Sequence, residues 1–407
     1  LKCAFFPLPS RSEIRHLFPF REKVSHHDYA MVHPSLSKLQ IVFLLSLTVM
    51  LACAQEEHPP ALITPSQESY TTETVVPDLD IPWGMVFLPD GSMLITERDG
   101  RLIHSKDGQK TEIAGVPKVY ARGQGGLLDI ELHPDYAQNG WIYLSYSSVE
   151  GGSGGNTAIM RAKLSGIQLI DQEVIYKATP NTAKGVHFGS RIEFDNDGYL
   201  YFSVGDRYQR DVNPQDIKRD GGKIYRLHDD GSIPSDNPFY GQRGVIEAIY
   251  SYGHRNPQGM TLHPETGKIW IHEHGPRGGD EINIIEPGNN YGWPEITYGI
   301  NYSGTKITDD TALPGMEQPF YYWVPSIAPS GMTFVTSDRY PDWKGNLMVG
   351  SLVFSYLERV VIEDGQVTRR EKLLPDVGRM RNVRQGPDGY LYVAVEGKGI
   401  LKIIPKP

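Results

Sequence analysis

One pattern of apolar and polar positions returns along most of the chain. A short apolar run leads into a turn built on Pro, Asp and Gly, and a second run follows in which aromatic or β-branched residues alternate with polar ones. It reads WGMVFLPDGSMLITER, LLDIELHPDYAQNGWIYLSYS and SRIEFDNDGYLYFSVGD, then QGMTLHPETGKIWIHEH, SGMTFVTSDRYPDWKGNLMVGSL and RNVRQGPDGYLYVAVE. Asp and Gly accept the positive φ of a tight reversal, and the alternating Tyr, Leu, Val and Ile give each strand a face to bury. A spacing of roughly forty to seventy residues suits one four-stranded blade per copy, some with long insertions. Six copies therefore predict an all-β, six-bladed β-propeller. A pair of β-sandwiches would need a linker between halves, and the copies run from Pro82 to Val395 without one. Insertions such as Glu150 to Asn156 and Tyr302 to Met316 fall between the hairpins, where rim loops gather binding residues.

Ahead of the repeats the pattern changes. Leu39 to Ala52 is largely apolar, short for a bilayer span, preceded by Lys38 and ended by Cys53. Residues 31–53 thus read as a signal peptide of the lipoprotein kind, with Cys53 as the lipidated residue and Met50 a mild departure. Residues 1–30 show no period and are set aside. Residues 54–74, rich in Glu, Pro, Thr and Ser, read as a tether, and 75–407 as the propeller. The expected location is the periplasm or cell envelope, with membrane contact only through the lipid.

Composition sharpens this in two respects. With 43 Gly, 30 Pro and 23 Tyr in 407 residues, the chain is a folded, turn-rich one, and its net charge of −9 argues against a nucleic-acid partner. The two cysteines, Cys3 and Cys53, precede the repeats, so no disulfide braces the fold and burial must do so.

Candidate chemistry lies where the repeats meet their loops. In GVHFGSRIEFDNDGYLYFSVGDR, His187 precedes one strand and Asp206 follows the next, so a hairpin brings the two together. A carboxylate fixes the tautomer of an imidazole and stabilises its charged form, which suits a general base and is expected to raise the pKa of His187. The loops YGHRNPQGM and HEHGPRGGDEINIIEPGNNYGWP are dense in Gly, Asn and Arg, and such loops are costly to order without a ligand.

Together with GQGGLLDIELHP, VPSIAPSG and GRMRNV, these segments resemble the soluble glucose and aldose sugar dehydrogenases that depend on pyrroloquinoline quinone (PQQ). The resemblance runs from about Leu79 to the C-terminus, with the motifs in the family's order. It implies His187 as the base that takes a sugar hydroxyl proton, Asp206 as its orienting partner, and Arg255 and Asn256 at the reactive carbonyls of the quinone. It implies Arg379 and Arg381 as the pair holding PQQ carboxylates, two alternate residues that one strand would point to the same side. Gln124, Tyr302, Ser326 and Ser351 are implied as further pocket residues. The carbonyls of Gly275 and Pro276 are implied to hold a Ca²⁺ that bridges to the cofactor, and Asp280, Glu281 and the Tyr291 carbonyl a second, structural Ca²⁺. The implied reaction oxidises an aldose at its anomeric hydroxyl to a lactone, with electrons passed to an acceptor the sequence does not identify; a homodimer stays open.

Two positions depart from the family. Val353 stands where a cofactor-binding lysine is common, with Arg359 as a candidate to compensate. Val324 stands where the glucose enzyme has a stacking tryptophan, with Trp323 beside it as a replacement. Val353 favours one rival reading, a non-catalytic, calcium-stabilised glycan-binding propeller; a second, a metal-dependent lactonase or hydrolase, stays open because propellers host several unrelated activities. The basic pair separates them from the first reading, because a cofactor with several carboxylates needs such a pair and a glycan does not.

Overall fold

The computed structural model describes residues 62–63 and 69–406. Six antiparallel sheets follow one another along the chain, each a meander whose first strand is innermost. Blade one is β3–β6 (Pro82–Phe87, Met93–Glu97, Leu102–Lys106, Gln109–Ile113) and blade two β7–β10 (Leu127–Leu132, Trp141–Ser148, Asn156–Ser165, Gln168–Lys177). Blade three is β11–β14 (Ile192–Phe194, Leu200–Val204, Lys223–Leu227, Ile249–Tyr252) and blade four β15–β18 (Pro257–Leu262, Ile269–Glu273, Asp280–Ile284, Tyr321–Trp323). Blade five is β19–β22 (Pro329–Phe334, Leu347–Ser351, Tyr356–Glu363, Gln366–Leu373), with β1 (Leu62–Ile63) added in parallel on β22. Blade six is β23–β25 (Met380–Gln385, Leu391–Val395, Gly399–Pro405). The six sequence copies are the inner hairpins of the six blades, as expected.

The start of the domain differs from the expectation. β2 (Tyr70–Pro77) is the outer strand of blade six, paired antiparallel with β25 from Tyr70↔Pro405 to Pro77↔Gly399. The stretch assigned to a tether, 54–74, therefore contributes structure from Tyr70 onward. Its polarity misled because the strand is outermost: Thr71 to Thr74 are exposed while Tyr70 and Val76 are buried. The N-terminal strand thereby joins the C-terminal blade and removes the ring's open edge. The leader, Cys3 and Cys53 lie outside the described residues.

The core lies between blades rather than in one centre. Tyr143 of β8 meets Phe194 of β11 edge-on at 5.0 Å, and Trp270 of β16 meets Phe334 of β19 edge-on at 5.4 Å. Toward the axis the register slips by a residue near the start of the inner strand, at Pro82/Gly84, Leu127/Ile130, Pro257/Gly259, Ser330/Met332 and Met380/Asn382. Such bulges re-aim a side chain out of the pleat. One beneficiary is Arg381, the unpaired residue of its bulge.

Candidate active site

His187 sits in the loop entering β11 and Asp206 just after β12, so the hairpin that pairs Ile192 with Phe202 brings their side chains together. His187 Nδ1 lies 2.7 Å from Asp206 Oδ1, with His187 8% and Asp206 1% exposed. Asp206 also accepts hydrogen bonds from Trp293 Nε1 at 2.9 Å and from the Tyr208 backbone N at 2.7 Å. Burial alone would raise this carboxyl, yet the bonds from His187 and Trp293 and the Arg255 charge prevail and hold it below its ordinary value. An ionised Asp206 requires the proton on His187 Nδ1, which leaves Nε2 as a free lone pair. The backbone N of His187 donates to Gln124 Oε1 at 2.7 Å, so Gln124 fixes the base from blade two.

The imidazole itself departs from expectation. Its pKa is lowered from 6.5, because burial and the Arg255 guanidinium outweigh the upward pull of Asp206. Sequence spacing revealed the carboxylate but neither the burial nor the opposing cation. His187 is therefore neutral at pH 7, the form a base requires.

A cavity of about 380 Å³ opens beside this pair, lined by His187, Asp206, Tyr208, Arg210, Arg255, Pro276, Trp293 and Tyr302 among others. That volume is within the range of small-molecule sites. Arg255 donates through Nη1 to the carbonyls of His274 at 2.9 Å and Gly275 at 2.7 Å, while its Nε is buried without a partner. Asn256 accepts from Gly189 N at 3.0 Å and leaves its Nδ2 unpaired. Of the two, only Arg255 lines the cavity, where it brings a positive charge next to His187 and Asp206. Glu273 organises this corner, accepting from the Arg255 backbone N at 2.5 Å and from His254 Nδ1 at 2.8 Å.

Arg379 and Arg381 do face the same side, although the bulge rather than simple alternation brings them there. Both grip Glu396, Arg379 through Oε2 at 3.0 Å and Arg381 through Oε1 at 2.5 Å. Burial pulls Arg381 down to about 10 against the pull of Glu396, so it stays charged. Buried His274 is depressed to about 3, chiefly by burial and also by the charges of Arg255 and Arg381; neither Arg379 nor Arg381 lines the cavity beside His187.

Other expected residues are committed elsewhere. Both oxygens of Asp280 are occupied, accepting from Gly275 N, Ser326 Oγ, Ile327 N and Ala328 N at 2.7–3.0 Å. In this structure Asp280 and Ser326 clasp the Gly275–Pro276 turn; burial raises the Asp280 carboxyl to about 6. That turn must be tight, since a Cβ on Gly275 would stand 2.2 Å from the Gly279 carbonyl oxygen. Ser351 is fully buried, and its Oγ donates to the Ile327 carbonyl at 2.9 Å. Glu281 lines a smaller cavity with Glu273 and Tyr291, and burial together with the Glu273 charge raises it to about 8. Neither proposed substitute is available: Arg359 is buried on Glu371 at 2.9 Å, and Trp323 is buried with Nε1 on Glu358 at 2.9 Å. Val353 and Val324 are exposed. Trp293, Glu273 and Glu396 were not singled out from the sequence, although the loop HEHGPRGGDEINIIEPGNNYGWP holds the first two and the repeat RNVRQGPDGYLYVAVE ends on the third.

The chain matches the family model "Glucose / Sorbosone dehydrogenase" over residues 79–402. Aldose sugar dehydrogenase YliI of Escherichia coli is 45% identical over 344 residues, 82% of this chain and 92% of the relative. The apo crystal structure of the soluble E. coli aldose sugar dehydrogenase superposes with a TM-score of 0.80 at 44% identity, covering 83% of this chain and 100% of that one. The PQQ-bound aldose sugar dehydrogenase of Streptomyces coelicolor gives 0.68 at 29% identity, covering 86% and 100%.

Proposed function

The chain belongs to the glucose/sorbosone dehydrogenase family, and from that premise we propose that it is a PQQ-dependent aldose sugar dehydrogenase. The observation that carries the proposal is the buried His187–Asp206 pair, 2.7 Å apart, with a neutral imidazole beside a cavity that also holds Arg255 and Pro276. The residues present suit the cofactor. Arg255 lines the cavity as a charged donor suited to quinone oxygens, and Arg379 and Arg381 suit carboxylates that would compete with Glu396 for them. The turn that Asp280 clasps offers the Pro276 carbonyl to a hard cation, while the Gly275 carbonyl is held by Arg255 Nη1 and would have to be released to join it.

When bound, PQQ supplies a hydride acceptor and Ca²⁺ polarises it. The chain's own part is acid–base and positional. His187 Nε2 takes the proton of the anomeric hydroxyl as the carbon loses hydride, and the ring oxygen and former hydroxyl oxygen remain as the lactone. Asp206, held by Trp293 and the Tyr208 backbone, keeps the imidazole in the accepting tautomer and stabilises the imidazolium. The leader-like run ending at Cys53 supports an exported lipoprotein working in the periplasm or cell envelope.

Adding PQQ and Ca²⁺ to the purified protein and following sugar-dependent reduction of an artificial dye tests this reading. Dye reduction is expected. Spectroscopically bound PQQ without dye reduction for any aldose would overturn it, and sugar binding without PQQ binding would favour the glycan-binding alternative that exposed Val353 keeps open.

A further inference from the structure

Directly after Asp206 the backbone takes an uncommon course. Arg207 and Tyr208 adopt left-handed φ values of 57° and 61° in succession, a region that bulky residues rarely enter and that persists only where the surroundings enforce it. The enforcing contacts are visible. Tyr208 N is held by Asp206 Oδ1 at 2.7 Å. The buried Arg207 guanidinium donates to the carbonyls of Val186, Gly155 and Lys184 and to Thr182 Oγ1, and lies 3.5 Å over the Phe188 ring. The outcome is a tyrosine side chain turned away from the core: Tyr208 is 59% exposed, lines the main cavity, and has its ring centroid 5.8 Å from that of His187 at an interplanar angle of 62°. The left-handed pair thus serves two ends: it buries the Arg207 guanidinium, and it leaves at the cavity an aromatic ring that burial gains little from, with Lys184 Nζ 5.4 Å from its centroid.

We propose that Tyr208 is the platform on which the sugar ring stacks, and hence a specificity-determining residue for cyclic aldoses. The inference rests on the dehydrogenase reading above. One face of a pyranose carries several C–H bonds polarised by neighbouring oxygens, and these are attracted to the negative face of an aromatic ring. An aldose seated on Tyr208 lies beside the base. Hydroxyl groups at its edge meet Arg210, whose Nη1 is steadied by Asn301 Oδ1 at 2.7 Å, and Asp211, all lining the same cavity. An open-chain polyol has hydroxyls but no such face, so Tyr208 discriminates against it.

Steady-state kinetics of the PQQ-loaded protein on aldopyranoses and on sorbitol tests the platform. Tyr208→Ala raises KM for the pyranoses by about five- to tenfold with a smaller effect on kcat, and Tyr208→Phe restores most of the loss. PQQ affinity, read by titration, stays near that of the unsubstituted protein. Tyr208→Gly raises the melting temperature by relieving the left-handed strain while raising KM as Ala does; a lower melting temperature would show that the ring is kept for packing. Pyranose KM values unchanged in Tyr208→Ala would overturn the proposal while leaving the dehydrogenase reading intact. If the unsubstituted protein binds PQQ but oxidises no sugar, that reading falls, and saturation-transfer NMR with glucose then decides the platform. Ring-proton saturation lost in Tyr208→Ala upholds it, and equal saturation in both proteins overturns it.

Discussion

At the scale of single residues, the site depends on which of several opposing influences wins at His187. Burial and Arg255 lower its pKa below 6.5 while Asp206 pulls upward and loses. Below its pKa the imidazole is protonated and cannot accept; above it, the base is ready. kcat/KM should therefore rise with pH through a value under 6.5 and be flat above it, and an acid limb centred above 6.5 in a pH–rate profile would contradict the assignment. Replacing His187 with Ala should lower kcat by about two to four orders of magnitude while PQQ titration shows nearly unchanged affinity. Val353 offers a second measurement. It is 55% exposed, with room for a longer side chain, so Val353→Lys is expected to tighten PQQ by about 1 kcal/mol, a charge-assisted contact discounted for solvent screening. Unchanged affinity would mean that the cofactor lies away from this rim.

Among the elements, β2 carries consequences that its composition hides. Tyr70 packs edge-on against Trp343 with centroids 6.0 Å apart, and its hydroxyl accepts the Leu374 backbone N–H at 2.7 Å. Tyr70 thus ties the closing strand of blade six to blade five. Tyr70→Ala should cost about 3 kcal/mol, combining a large cavity with an orphaned N–H, and should lower the denaturant midpoint accordingly. Thr72→Ala, on the exposed side of the same strand, should stay within about 0.5 kcal/mol and serves as the control. The contrast separates a structural strand from a tether, for which both changes would be silent.

For the molecule as a whole, the site is a meeting of blades. Gln124 from the loop before blade two, His187 and Asp206 from blade three and Arg255 and Pro276 from around blade four converge only when the blades have packed together. A ligand that bridges these parts stabilises the closed ring by mass action. PQQ and Ca²⁺ together should raise the melting temperature more than the sum of their separate effects, and a chelator should weaken PQQ binding, because the Gly275 and Pro276 carbonyls are read as holding the ion against the cofactor. Equal PQQ affinity with and without chelator would remove the bridging cation.

Local chemistry was enough to specify the six hairpins, since Asp and Gly at the turns and alternation in the strands act over a few residues. It was also enough to bring His187 beside Asp206, because a hairpin joins its own ends. The rest depended on contacts distant in sequence. Trp293 reaches Asp206 from 87 residues away, and Arg191 donates to Asp129 of blade two and to the Gln258 carbonyl of blade four. Glu396 joins two arginines that lie in and beside a bulge. Tyr70 became part of a blade because β25, at the other end of the chain, had an open edge. Whether a polar residue ligates, clasps or titrates depends on its burial and neighbours, and those exist only once the blades have packed: Asp280 became a clasp, and His187 a base with a lowered rather than a raised pKa.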